Sequence, residues 1–67
     1  MTITGRLEKY QRAVRNGLVV KVPVGATIYF FKFVVFGGPS PTVCMKPADG
    51  EQICRTAAEW KRMGARW

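Results

Sequence analysis

The sequence predicts an α+β fold, in which a small antiparallel β-sheet of about four strands follows an N-terminal amphipathic helix and precedes a short C-terminal helix. Three observations support this prediction: a long run of strand-forming residues, two hairpin turns marked by Gly and Pro, and helix start and stop signals near both ends. A strongly bent, SH3-like barrel is the alternative architecture. We expect the 67 residues to form a single small domain.

The first helix is predicted to begin after an N-cap at Thr4 and to run to Asn16, with Gly17 as the left-handed residue that ends it. Its apolar side is formed by Leu7, Tyr10 and Val14. Its polar side is basic and carries Lys9, Arg12 and Arg15. A charged face of this kind is either simply solvated or a contact surface for an anionic partner.

Two antiparallel hairpins are predicted between the helices, because the turns leave no room for a crossover helix. The predicted strands cover residues 18–22, 26–36, 42–46 and 51–55. Pro23 marks the first turn, and Asp49-Gly50 makes the second. In one register of the second hairpin Cys44 lies opposite Cys54, and a shift by one residue removes that pairing.

The last helix is predicted over residues 57–63. Thr56 and Glu59 have the spacing of a capping box, in which each side chain bonds the backbone N–H of the other residue. Gly64 is expected to end the helix. The tryptophans of this region are then free to cover part of the sheet.

Residues 26–36 dominate the prediction, because neither face of that strand is polar and Lys32 is its only charge. Leaving one face in water forgoes about 6 to 12 kcal/mol of apolar burial, whereas a domain of this size is rarely stable by more than about 3 to 5 kcal/mol. We therefore expect both faces to be covered, one of them by self-association as a dimer or higher oligomer. The expected interface uses alternate positions of the strand: Tyr29, Phe31, Phe33 and Val35.

Cys44 and Cys54 are expected to be reduced thiols in a cytoplasmic protein, because the start of the chain shows no secretory leader. Two Cys residues without any His cannot complete a four-ligand zinc site, so no metal is expected. The apolar stretch over residues 18–36 is interrupted by Lys, Pro and Gly, so no membrane span is expected either.

Eleven Lys and Arg residues against four Asp and Glu residues give a net charge of +7. This excess points to an anionic partner, which could be a nucleic acid, a nucleotide, a membrane surface or an acidic protein, or it serves only to keep an apolar sheet in solution. The chain has no His, no Cys–His pair and no glycine-rich phosphate motif, so no catalytic arrangement can be assembled. We expect a non-enzymatic protein without a cofactor.

The charge suggests a first candidate site at the start of the last helix, where small side chains leave backbone N–H groups accessible to a phosphate. The residues of this anion site are Arg55, Thr56, Ala57, Trp60, Arg62 and Trp67. The rival interpretation is that Glu59 occupies the same N–H groups through the capping box.

A second candidate site is a nucleic-acid surface, on which cations contact phosphates and indole rings stack on bases. Its cations are Lys9, Arg12, Arg15 and Lys61, joined by Arg62 and Arg66, and its rings are Trp60 and Trp67. The rival interpretation is that both tryptophans belong to the core.

Part of the sequence resembles a small phage protein family, some members of which counter the Thoeris defence system. The residues that carry the resemblance are Met45-Lys46-Pro47-Ala48-Asp49-Gly50, then Ile53, Thr56, Glu59, Ala65 and Trp67, with Ala13, Gly17 and Val20 upstream. Two positions depart from the family pattern: residues 22–25 lack its Arg-x-Gly-Trp segment, and Arg66 replaces an acid.

The resemblance implies a homo-oligomeric phage or mobile-element protein of the host cytosol. Such a protein would sequester a nucleotide immune signal of the cyclic ADP-ribose type, without degrading it, in a pocket shared between subunits. Two alternatives from the residues stay open. One is a DNA- or RNA-binding regulator that uses the basic N-terminal helix, and the other is a protein–protein inhibitor of a host enzyme.

Overall fold

Residues 2–67 are described by the computed structural model, and they form the predicted α+β fold. The elements are α1 (Ile3–Arg15), β1 (Lys21–Val24), β2 (Thr27–Val35), β3 (Thr42–Pro47), β4 (Ile53–Thr56) and α2 (Ala57–Arg62). The four strands form one antiparallel sheet in the order β1-β2-β3-β4, which confirms both predicted hairpins. The sheet is open, so the alternative of a bent barrel is wrong.

Helix α1 begins two residues earlier than predicted, because Thr2 rather than Thr4 is its N-cap. It ends at Arg15, one residue before the predicted boundary, and the predicted role of Gly17 is confirmed: Gly17 adopts a φ of +83°, and both Gly17 and Leu18 donate their N–H groups to carbonyls of the last turn. Helix α2 ends at Arg62, one residue before the predicted boundary. Within residues 2–67, neither helix is long and apolar enough to cross a membrane.

Strand β1 begins three residues later and ends two residues later than predicted, and Pro23 is part of the strand rather than the turn after it. Pro23 pairs with Ile28 of β2, and its carbonyl points away from β2 and accepts the N–H of Arg66 at 2.9 Å. At such a position the missing proline N–H also points away from β2, so the β1–β2 hydrogen bonds stay intact.

The C-terminal segment lies along the outer edge of β1 and closes the fold. Gly64 adopts a φ of +101°, and its carbonyl accepts the N–H of Gly25 at 3.2 Å. Ala65 forms a bridge with Val24. The guanidinium of Arg6 on α1 donates to the carbonyl of Trp67, which joins the first helix to this segment.

Both helices cover the same face of the sheet, and the core lies between them and that face. The buried apolar residues are Leu7, Val22, Val24, Phe31, Val34, Val43, Met45, Ala57 and Trp60. The Trp60 indole is fully buried, donates its Nε1–H to the carbonyl of Val43 at 2.8 Å and meets the Tyr29 ring edge-on at 5.1 Å. Trp60 therefore belongs to the core, as the rival interpretation held.

A β-bulge at Lys32 interrupts the alternation of β2. Phe31 lies opposite Met45, but Phe33 lies opposite Cys44, so one extra residue stands between the two pairs. The bulge leaves Phe31 facing the helices and turns Phe33 to the other side.

The predicted interface of Tyr29, Phe31, Phe33 and Val35 is therefore wrong as a set. Tyr29 and Phe31 contribute to the core, and only Phe33 and Val35 face away from the helices. Strict alternation along the strand would have kept all four on one side, and the extra residue at Lys32 breaks it.

The side of the sheet opposite the helices, called the open face below, is not covered by any element of residues 2–67. The register places on it Lys21, Pro23, Ile28, Phe30, Phe33, Val35, Thr42, Cys44, Lys46, Cys54 and Thr56. Ile28, Phe33 and Val35 are 48%, 42% and 56% exposed. One chain thus leaves this face uncovered within residues 2–67, because both helices pack on the same side, and the expectation that self-association covers it stays a prediction.

Cys44 and Cys54 form a disulfide across β3 and β4, which differs from the expectation of two reduced thiols. The two residues lie directly opposite each other in neighbouring strands, with their Cα atoms 4.0 Å apart. This is the register that the sequence suggested as one of its options. Cys44 is 2% exposed although it lies on the open face, because Cys54 and Phe33 flank it.

Candidate functional site

The start of α2, predicted as an anion site, has its backbone donors already occupied. The N–H of Ala57 bonds the carbonyl of Pro41 at 2.8 Å, and that of Ala58 bonds the Ser40 hydroxyl at 3.3 Å. The N–H of Glu59 bonds the Thr56 hydroxyl, while the Glu59 carboxylate accepts the N–H of Thr56 at 3.1 Å. These bonds confirm the capping box and leave none of these four donors for a phosphate.

The charges at the start of α2 also disfavour the binding of an anion. The pKa of Glu59 is held below its ordinary value of 4.5, first by the backbone N–H of Thr56, then by its hydroxyl, and further by Arg55 and Arg62. Glu59 therefore carries its negative charge at neutral pH. The Arg55 guanidinium lies 3.9 Å from this carboxylate and is partly neutralised by it.

The predicted anion set is therefore not assembled as one site. Trp60 is fully buried, Arg55 is paired with Glu59, and the hydroxyl of Thr56 is used as a cap. Arg62 is exposed on α2. The sequence had offered capping as the rival interpretation, and the capping geometry is the one that forms.

Two residues of the anion set do meet in a cleft beside α2. The cleft has a volume of about 310 Å³ and is lined by Ile3, Ser40, Ala57, Ala58, Lys61, Ala65 and Trp67. It brings the half-buried indole of Trp67 and the small side chain of Ala57 together with Lys61, which the sequence had assigned to the nucleic-acid surface. We call it the α2 cleft.

The α2 cleft combines an aromatic wall with a cation. Lys61 is exposed at its rim, and the Arg6 guanidinium is held nearby through its bond to the carbonyl of Trp67. The small side chains of Ala57 and Ala58 also line the cleft and leave space for a planar group. A ring stacked on the indole with a phosphate turned towards Lys61 suits this arrangement.

The basic side of α1 is solvated. Lys9, Arg12 and Arg15 are all exposed, and no acidic side chain among residues 2–67 forms an ion pair with them. The predicted helix surface is therefore present as three free cations. The structure does not add the Trp60 ring to it, because that ring is buried.

A second cleft of about 320 Å³ opens where α1 leaves the sheet. It is lined by Val14, Leu18, Val19, Val20, Phe30, Phe31 and Lys32. Beside it, the Gln11 side chain accepts the N–H of Val34 at 2.8 Å and so caps the part of β2 that extends beyond β1. This cleft is mainly apolar, and Lys32 is its one charged lining residue.

The open face contains one feature that sequence reasoning missed. Lys21 lies opposite Phe30, and Phe30 lies opposite Lys46, so two lysines flank one ring in a row across three strands. Neither composition nor periodicity marks this row in the sequence, because the row appears only once the pairing register of the strands is known.

Comparisons of the chain with protein-family models, curated proteins and solved structures found no match.

Proposed function

We propose that this chain is a non-enzymatic binding protein that captures an anionic nucleotide ligand, of the kind used as an immune signal, in the α2 cleft. The observation that supports the proposal is the meeting of the Trp67 indole and Lys61 on one cleft of about 310 Å³. That volume is at the lower end of the range for small-molecule pockets, which suits one nucleotide unit.

The residues that line the cleft have different roles in binding. The Trp67 ring offers a stacking surface for a base, and Ala57 and Ala58 leave room for it. Lys61 and the neighbouring Arg6 supply the positive charge that a phosphate or pyrophosphate needs. No nucleophile or general base is assigned to the cleft, so the ligand is held and released unchanged.

Isothermal titration with cyclic ADP-ribose isomers, followed by chromatography of the recovered ligand, tests this proposal. We expect saturable heat and an intact ligand. Trp67→Leu and Lys61→Gln should each weaken binding at least several-fold, since each removes one of the two recognition elements. Arg15→Gln, which also removes one cation but lies on α1, is the matched control and should bind as the parent does.

The absence of heat at high protein concentration would contradict the proposal. Equal loss of affinity in the Lys61 and Arg15 variants would assign binding to net charge rather than to the α2 cleft. A chemically altered ligand after incubation would contradict the non-enzymatic part.

Self-association and a cytoplasmic location belong to the same proposal. Native mass spectrometry of the purified protein measures subunit number and any co-purified anion together. In the cytoplasm thiols are kept reduced, so the bond between Cys44 and Cys54 should be open there. Thiol labelling of freshly lysed cells, with and without prior reduction, measures this directly.

The exposed cations of α1 favour a second candidate function, which is DNA or RNA binding through that helix. Lys9, Arg12 and Arg15 have no ion-pair partner among the described residues. An affinity that falls steeply with salt and is lost when these three residues are replaced would support it. Inhibition of a host enzyme stays a prediction, which capture from host lysate would test.

A further inference from the structure

The open face places aromatic rings among ammonium groups. Phe30 has Lys21 on one neighbouring strand and Lys46 on the other. Neighbouring strands lie about 4.8 Å apart, so the two lysine side chains start about 10 Å from each other with the ring between them. Phe33 lies further along the same face, is 42% exposed and follows the bulge residue Lys32.

All charged side chains on this face are positive. None of the four strands carries an acid: Glu8 is on α1, Asp49 and Glu51 are in the turn between β3 and β4, and Glu59 is on α2. The face therefore offers cations without a competing carboxylate, which attracts the phosphates of a polyanion.

A second copy of the chain is a poorer fit for the same surface. Two copies meeting through their open faces would bring the lysines of each against those of the other, with no acid on either face to pair with them. Like charges that face each other across a contact are destabilising. The charge pattern thus favours a polyanion over self-association at this surface.

We propose that the open face binds single-stranded DNA, with bases stacked on Phe30 and Phe33 and with phosphates beside Lys21 and Lys46. Stacking on a phenyl ring requires an unpaired base, because the bases of a duplex already stack on each other. Each aromatic side chain in such a platform accepts any base, so binding is tolerant of sequence.

The spacing of the rings indicates an extended strand. Phe30 and Phe33 are separated along β2 by about 7 to 10 Å, allowing for the bulge between them. This exceeds the roughly 3.4 Å between stacked neighbours in one strand of a duplex. The two bases that contact the rings are therefore unstacked from each other.

The chemistry of the face favours DNA over RNA. The sugar of RNA is recognised through its 2′-hydroxyl, which needs polar partners. The hydroxyls on this face belong to Thr42 and Thr56, which pair with each other at one end of the sheet. Ile28 and Val35 border the aromatic rings instead, and these apolar side chains suit a deoxyribose.

Fluorescence anisotropy with a labelled short oligothymidylate tests the proposal, alongside a duplex of equal length and the matching oligouridylate. We expect the single-stranded DNA to bind more tightly than both. The slope of log K against log salt should be about −1.4, since two lysines each contribute about −0.7 on a single strand.

Two double variants make a matched pair, because each removes two positive charges from the net charge of +7. The face variant is Lys21→Gln and Lys46→Gln, and the helix variant is Lys9→Gln and Arg12→Gln. The face variant should lose most of the affinity and the salt slope. The helix variant should keep most of both.

A second pair of variants tests stacking. Phe33 and Phe36 are each 42% exposed, but Phe36 lies beyond the end of β2. Phe33→Leu should weaken binding by about 5- to 150-fold, the range that corresponds to loss of one stacked base. Phe36→Leu should have no effect. Near-UV circular dichroism verifies that each variant is folded.

Several results would overturn the proposal. These are equal affinity for duplex or for oligouridylate, unchanged binding by Phe33→Leu, and a larger loss in the helix variant than in the face variant. Light scattering on a sizing column supplies one more: a dimer that does not bind the added oligothymidylate would contradict the proposal.

Discussion

The covered and open faces of the sheet are built from the same strands but differ in how their apolar side chains are used. On the covered face, Trp60 and Leu7 from the two helices are fully buried against Met45. On the open face, Phe33 and Val35 keep about half of their surface in contact with solvent. The positions of the two short helices, rather than apolar composition, therefore determine which side chains of the sheet are buried.

The substitution expected to reduce stability most is on the covered face, at Trp60. Trp60→Ala should abolish the folded state, because removing a buried Trp costs about 3 to 5 kcal/mol and a domain of this size has about that much stability in total. Urea denaturation followed by circular dichroism measures it. Trp60→Phe should stay folded but less stable, since the carbonyl of Val43 loses its donor. A fully stable Trp60→Ala protein would refute the assignment of the core.

A smaller loss of stability is expected from a substitution at Gly64, where the C-terminal segment turns back to β1. Gly64→Ala places a Cβ in a backbone with φ of +101° and 3.1 Å from the N atom of Gly25. The left-handed conformation alone costs about 1 to 2 kcal/mol. Gly17→Ala is the control, since Gly17 has a φ of +83° but no atom within 4 Å of the new Cβ. Equal thermal destabilisation of the two variants would show that the contact with β1 adds nothing.

The capping box that starts α2 is expected to make a pH-dependent contribution to the free energy of unfolding. Because the folded pKa of Glu59 lies below its ordinary value of 4.5, the folded state binds fewer protons there than the unfolded state does. Its stabilisation is present above about pH 4.5 and is lost as the pH falls through the lowered pKa. Glu59→Gln should reduce the dependence of the melting temperature on pH between about 5 and 3. An unchanged acid profile would contradict this.

The smallest effect is expected on the open face, at Val35. Val35 is 56% exposed, so Val35→Thr should change the free energy of unfolding by less than about 0.5 kcal/mol. The same substitution at the buried Val34, next to it in the strand, should cost several times more. A large loss at Val35 that also depends on protein concentration would show that the open face is buried between copies.

Local rules predicted the parts of the fold that depend on neighbouring residues. The capping box of Thr56 and Glu59, the helix stop at Gly17 and the pairing option of Cys44 with Cys54 are all confirmed. Each depends on residues close in sequence or on one tight turn, so few alternatives compete. The start of α1 was missed because Thr2 and Thr4 are chemically equivalent caps and only the tertiary structure selects between them.

The errors arise where distant elements decide the outcome. The bulge at Lys32 has no marker in the strand itself, and it reversed the predicted side of Phe33 and Val35. The predicted anion site likewise depended on whether Pro41 and Ser40 approach the start of α2, and both do. The α2 cleft and the Lys-Phe-Lys row each join residues from separate elements, so neither is visible before the register is known.

The extra residue in β2 also determines which side the rest of the strand presents to solvent. Deleting Lys32 would remove the bulge and leave the sides unchanged, because Phe33 would then follow Phe31 directly and alternation alone would keep Phe33 on the open face and Val34 towards the helices. A strand of the same length that alternated regularly through this region would instead exchange the apolar and solvent-facing sides of half the sheet. An ungapped alignment over residues 31–34 therefore does not by itself show that two proteins present the same surface, however similar their side chains are.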